Sequence, residues 1–167
     1  MKATRLAAAK GETTFVLVFD KGDEVVGELT NFARQRSLTA AHFTAIGAFS
    51  NVTLGYFDRE RRDYRRIAVS EQVEVLALLG DIALDASGPK VHAHVVVGRS
   101  DGTTAGGHLL AGSVWPTLEL VLSESPRHLR RRVDQETGLA LIDVAAPPGP
   151  PGGAGRGSRP TTGERRR

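Results

Sequence analysis

Five histidines are spread through this chain of 167 residues, and three of them fall where strand geometry could bring them together. His92 and His94 flank Ala93 in a β-branched run, and residues two apart on a strand point to the same face. His108 follows Gly106-Gly107, beyond Ser100-Asp101-Gly102, which is a good hairpin signal. Three neutral imidazoles converging on one point are the ligand set of an open zinc site, whose fourth position is left to water or a ligand. Parity decides whether they converge. A two-residue turn at Asp101-Gly102 puts His108 opposite Val95, on the wrong face. One extra residue in the second strand, as a bulge at Gly106-Gly107, would pair His108 with Val96 and restore the face of His92 and His94. Glu119, on the strand after His108, is the carboxylate available as an outer partner of a ligand or as a general base.

The elements that must hold these residues read as mixed α and β. Residues 14–19 are short, apolar and β-branched, hence a strand. Asp20-Lys21-Gly22-Asp23 turns the chain, and Asp23 is placed to cap a helix running to about Arg36, with Val26, Leu29, Phe32 and Ala33 at helical spacing. Residues 42–57 carry two β-rich runs joined around Ser50-Asn51; a charged link at 58–63 leads to a strand at 64–69. Residues 73–84 form an apolar run interrupted at Gly80-Asp81. The histidine hairpin spans 91–98 and 103–114, and 117–122 is a further strand. Residues 126–136 have the pattern of an amphipathic helix with Leu129 and Val133 inward and Gly138 as its stop, before a last strand at 139–144. Strand follows strand without intervening helices, which predicts an α+β class: a mainly antiparallel sheet packed with one or two helices.

Composition divides the chain into three. Residues 1–10 read as a loosely ordered N-terminus, 11–144 as one folded domain, and 145–167 as a disordered tail. In that tail 11 of 23 residues are Pro or Gly, too few apolar groups to offset the entropy of ordering. The tail holds five arginines (Arg156, Arg159, Arg165, Arg166 and Arg167) against Glu164, so its charge is +4 while residues 1–144 sum to −1. Any contact with a polyanion such as DNA is therefore expected in the tail. Arg156-Gly157-Ser158-Arg159-Pro160 is similar to a minor-groove hook with one residue inserted. The arginines of 59–66 and 127–132 read as solvated surface. The chain has no cysteine, which excludes disulfides and thiol chemistry and suits a reducing compartment. It has no apolar run near the ~18 residues of a membrane span and too short an apolar start for a secretory signal. A cytoplasmic location is expected.

Several stretches, in order, carry a resemblance. They are the run IGAFSNVTLGYFD at 46–58, His92-Ala93-His94, Asp101-Gly102 with Gly106-Gly107-His108-Leu109-Leu110, Pro116-Thr117-Leu118-Glu119, and DQETGL at 134–139. Together they resemble the plant and prokaryote conserved (PPC) domain, over about residues 10–144. The resemblance implies an antiparallel sheet packed with a helix, assembly as a homotrimer, and zinc held by His92, His94 and His108. It also implies a DNA-associated or regulatory role. The alternative is a zinc-dependent enzyme that activates water on a small substrate, for which Glu119 is the one nameable base. Two other metal patterns fit poorly: cupins require a Glu near Gly98-Arg99, and the His-x-His-x-Asp hydrolases an Asp where Val96 stands.

Overall fold

The computed structural model of the chain describes residues 1–9, 11–125 and 127–145. Its strands are β1 (Lys2–Ala9), β2 (Glu12–Phe19), β3 (Ala40–Asp58), β4 (Asp63–Val69), β5 (Val73–Asp85), β6 (Gly88–Gly98), β7 (Thr104–Glu124), β8 (Arg131–Val133) and β9 (Ala140–Ile142). The helix α1 (Val25–Gln35) lies between β2 and β3. Seven strands form an antiparallel sheet in the order β1-β2-β7-β6-β5-β3-β4. A further β7–β3 pairing, running from Ala41 opposite Glu124 to Gly55 opposite His108, closes β3, β7, β6 and β5 into a circuit.

This closure is possible because β3 and β7 are long. The apolar runs read separately from the sequence at 42–57, and at 103–114 with 117–122, are each a single strand bent by register shifts. The first half of β7 serves β6, and its second half lies between β3 and β2.

Alternation decides the core. Phe43, Leu78, Val95, Val97, Leu118, Leu120 and Leu122 are buried on one face of the sheet with Phe49 and Leu54. The helix buries Val25, Leu29, Phe32 and Ala33 against them, and Phe32 meets Phe15 edge-on at 5.3 Å between ring centroids. Glu24 caps the helix in place of the expected Asp23, its carboxylate accepting from the Val26 and Gly27 amides. Asp23 is used one turn earlier, where it accepts from the Asp20 amide. The opposite face is also apolar. Ile46 (63% exposed), Leu76, Leu79, Val96 and Val121 project from it and, with Val16 and Glu119, several of them line a shallow groove.

Two expectations change. The helix expected at 126–136 is not formed by its described residues 127–136: β8 and β9 pair as a two-stranded ribbon, Arg131 opposite Ile142, with Asp134–Gly138 turning the chain between them. Pairing of this ribbon with β5, through Leu84 N–H to Leu129 O at 2.8 Å, overrides the helical spacing of Leu129 and Val133. Residues 2–9, read as loose, lie along β2 as an edge strand. All eight are exposed, so no alternation marks the strand and backbone pairing alone makes it. The described residues hold one helix, within the one or two expected. The strand expected at 139–144 is present as Ala140–Ile142. The arginines Arg156, Arg159 and 165–167 lie outside the described residues. Among the described residues no helix is long and apolar enough to cross a membrane.

Candidate metal centre

The hairpin that carries the three histidines is closed by Arg99–Thr103. The Arg99 amide donates to Thr103 O at 2.8 Å and the Gly102 amide to Arg99 O at 3.0 Å, leaving Ser100-Asp101-Gly102 as a three-residue loop. Gly102 sits at φ +83°, a conformation that glycine adopts without a Cβ penalty. Asp101 locks the loop by accepting from the Thr103 amide and hydroxyl. This odd-length loop supplies the parity that a two-residue turn lacks. His108 pairs with His94, not with Val96, and no bulge is needed at Gly106-Gly107, which pair regularly with Val96 and Val95. Directly opposed residues share a face.

Gly107 makes room for a neighbouring strand. A Cβ there would stand 2.8 Å from Gly55 O, so its absence lets β3 close on β7 beside His108. The extra residue of β7 is Leu110, where the β3 register shifts between Leu54–Leu109 and Thr53–Ala111.

The three imidazoles meet. Their ring centroids are 5.2 Å (His92–His94), 5.1 Å (His92–His108) and 5.4 Å (His94–His108) apart. One nitrogen from each can be chosen so that all three lie within 4.8 Å of one another. Tyr64, on β4, stacks on His108 at 4.5 Å and 23° and fixes the plane of that ring. Burial pushes the His108 imidazole down to about 4, assisted by repulsion from His92, His94 and Lys90; burial and then His92 also lower His94. Both shifts favour the neutral, metal-competent imidazole. His108 Nδ1 is buried and makes no hydrogen bond. A buried nitrogen lone pair without a partner is what a metal would satisfy, and the donor set fits zinc: three neutral nitrogens with room for a fourth ligand.

Glu119 is not at this cluster. It lies on the outward apolar face, paired with Ile46 and Val18, while His94 connects to that region only through Leu79 on β5 and Thr44 on β3. Three strand spacings of ~4.8 Å separate the two. The carboxylate beside the histidines is Asp81, which pairs opposite His92 across β5 and β6. Its Oδ2 is 3.6 Å from His92 Nδ1, and its Oδ1 accepts from Arg131 Nη2. Burial works against its charge, but the contacts to His92 and Arg131 prevail and hold it below the usual carboxylate range. The sequence signal for Asp81 was the charged interruption of an otherwise apolar strand. Tyr64 gave no signal that would separate it from an ordinary strand aromatic, and Arg131 was hidden within an arginine-rich segment read as solvated.

Known proteins share the sequence family and the fold. The model of the Plants and Prokaryotes Conserved (PCC) domain matches residues 6–126. A plant- and prokaryote-conserved protein of Pyrococcus horikoshii is 28% identical and superposes with a TM-score of 0.75, covering 87% of this chain and 96% of its own. A metal-containing protein of Archaeoglobus fulgidus is 34% identical, with a TM-score of 0.72 over 77% of this chain and 91% of its own. A candidate DNA-binding protein of Ralstonia eutropha is 29% identical, with a TM-score of 0.75 over 84% and 95%. In sequence, the bifunctional protein GlmU of a Synechococcus strain is 35% identical over 144 aligned residues; the match covers 81% of this chain but only 22% of that protein.

Proposed function

The chain belongs to the Plants and Prokaryotes Conserved domain family, and on that premise we propose that it is a self-associating zinc-binding module with a DNA-associated or regulatory role. The observation that carries the metal is the cluster of His92, His94 and His108, in which His108 Nδ1 is buried and makes no hydrogen bond. Zinc bound there would act as a Lewis acid with one position open to water or to an anionic or neutral donor. His92 and His108 form the sheltered side of the site and His94 its exposed side, which leaves a path for a small ligand. The metal-containing relative from Archaeoglobus fulgidus supports this reading.

We read the assembly as a homotrimer and the location as the cytoplasm; the outward apolar face supports the self-association. Ile46, Leu76, Leu79 and Val121 present a continuous surface of the kind that subunit contacts remove from water. A role near DNA is supported by the Ralstonia relative. In this chain the basic excess is in the tail, so Arg156, Arg159, Arg165, Arg166 and Arg167 would make phosphate contacts that are weak and largely independent of sequence. Water activation by zinc is the second reading, favoured by the open coordination position alone. Asp81 is engaged by Arg131 and Glu119 is strands away, so no free carboxylate stands at the cluster among the described residues.

Metal analysis tests the central claim. Full-length protein purified without chelators should carry about one zinc per chain. His94→Ala should lose most of it while keeping the circular dichroism of the fold, because His94 is exposed and outside the core. Wild-type zinc content near zero would sink the site.

A further inference from the structure

The ribbon of β8 and β9 is attached at one end to the candidate metal centre. Arg131 is only 5% exposed, and it is held from two sides. Its Nη1 donates to Ala140 O at 2.8 Å across the ribbon, and its Nη2 donates to Asp81 Oδ1 on β5. The ribbon is itself pinned to β5 by the Leu84 amide donating to Leu129 O, and closed by the Asp143 amide donating to Arg130 O. A buried guanidinium requires a carboxylate partner, and one oxygen of Asp81 satisfies that requirement. The second oxygen faces elsewhere, toward Nδ1 of His92.

We propose that Asp81, anchored by Arg131, is a positioning residue of the metal centre: it holds His92 in the tautomer that carries its proton on Nδ1, leaving the Nε2 lone pair for the metal. The inference rests on the three-histidine zinc reading. At 3.6 Å the contact is electrostatic, longer than a formed hydrogen bond. A carboxylate at that position still selects the Nδ1–H tautomer, since the other tautomer would aim a lone pair at a negative oxygen. The hydrogen bond from Arg131 Nη2 holds Asp81 Oδ1 and so sets the direction of the carboxylate. The pairing of Asp81 directly opposite His92 makes the orientation a property of the sheet register, and not of a flexible loop. Arg131 lies beyond the residues 6–126 that match the family model.

The test compares zinc affinity, by competition with a chromophoric chelator, in full-length wild type, Asp81→Asn, Arg131→Gln and Arg131→Lys. Glu74→Gln, an exposed carboxylate on the same strand, is the control. Loss of an outer partner of a metal-bound histidine weakens binding by ~10- to 100-fold. Asp81→Asn and Arg131→Gln should fall in that range, Arg131→Lys should recover part of the loss, and Glu74→Gln should match wild type. Long-range ¹⁵N–¹H spectra of the metal-free protein should show His92 protonated at Nδ1 in wild type and a shifted tautomer population in Asp81→Asn. A purely structural ion pair would lower the melting temperature of these variants and leave both readings unchanged, which would overturn the inference. So would a wild-type His92 protonated at Nε2, a measurement that requires no variant to fold. If wild type itself takes up no zinc, the metal reading fails and this inference with it. If wild type binds zinc and Asp81→Asn binds it equally well, only the inference fails.

Discussion

Protons and zinc compete for the same imidazole nitrogens, so acid should reveal how the site is built. An imidazole with an ordinary pKa near ~6.5 is about ten parts protonated to one neutral at pH 5.5. Three such ligands would lose ~1,000-fold in zinc affinity between pH 7.5 and 5.5, ~10-fold for each. His108 is pushed down to about 4, so it remains neutral across that interval and drops out of the competition. With one ligand out of the competition the expected loss falls well short of ~1,000-fold, and the lowered His94 reduces it further. Tyr64 is the lever, because its ring stacks on His108 and covers one face of it. Tyr64→Ala should return His108 toward ordinary behaviour and steepen the loss toward ~1,000-fold; Tyr64→Phe keeps the stack and should resemble wild type. Metal-free stability follows the same proton. The folded pKa lies below the unfolded one, so the unfolded chain binds more protons between about 4 and ~6.5, and stability present above ~6.5 is lost as pH falls toward 4. At ~1.4 kcal/mol per pKa unit the ceiling from His108 is ~3 kcal/mol. Zinc titrations at pH 7.5, 6.5 and 5.5 check the first part and urea melts of metal-free protein the second. A three-proton loss in wild type, or no difference between Tyr64→Ala and Tyr64→Phe, would refute the reasoning.

Light scattering on the full chain at micromolar concentration should give about three chain masses, and Ile46→Asp with Leu79→Asp should shift it to a monomer; a clean wild-type monomer contradicts the assignment of the outward face. Deleting residues 145–167 should abolish binding to duplex DNA in fluorescence anisotropy, and the full chain should show a log–log salt slope no steeper than roughly −4 to −5; equal binding by both would move the DNA surface onto the folded domain. Gly80→Ala should destabilise the fold by ~3 kcal/mol, because the new methyl would enter the Phe43 ring and stand 2.5 Å from His92 O. It should also weaken zinc binding by displacing His92, and melting together with zinc competition reads both effects.

The histidine cluster was legible in the sequence because strand periodicity is a short-range rule. His92 and His94 share a face whatever the rest of the chain does. The route by which His108 joins them was less legible, because a hairpin's register is set by a few dihedrals in its loop. Asp101-Gly102 is equally at home in a two-residue and a three-residue turn, and the choice here falls on three, with Gly102 at φ +83°. A Gly-Gly pair next to a ligand suggests a bulge, yet Gly107 is small because β3 approaches it from the side. That approach depends on β7 pairing with both β6 and β3, a long-range fact with no local signature. Glu119 was misplaced for the same reason. Alternation along β7 gives its face, but not the three strand spacings between it and His94.

The C-terminal segment shows where local pattern and tertiary contact diverge most sharply. Leu129 and Val133 have helical spacing, and a run of basic residues normally belongs on a solvated helix face. Two contacts from distant strands decide otherwise: Leu84 takes the backbone of the segment as an added partner, and Asp81 takes Arg131 out of solvent. Neither partner can be inferred from the segment itself. Asp81 nevertheless left a trace, because a carboxylate inside an apolar strand needs a cation nearby and this chain holds 22 lysines and arginines from which to supply one. The strand paired opposite Asp81 places His92 there, and the ribbon places Arg131. A carboxylate between a buried guanidinium and a candidate metal ligand joins the stability of the ribbon to the orientation of the site. Substitutions that loosen β8 and β9 should therefore be read first in zinc affinity, before any loss of the main sheet, whose core lies on the other face.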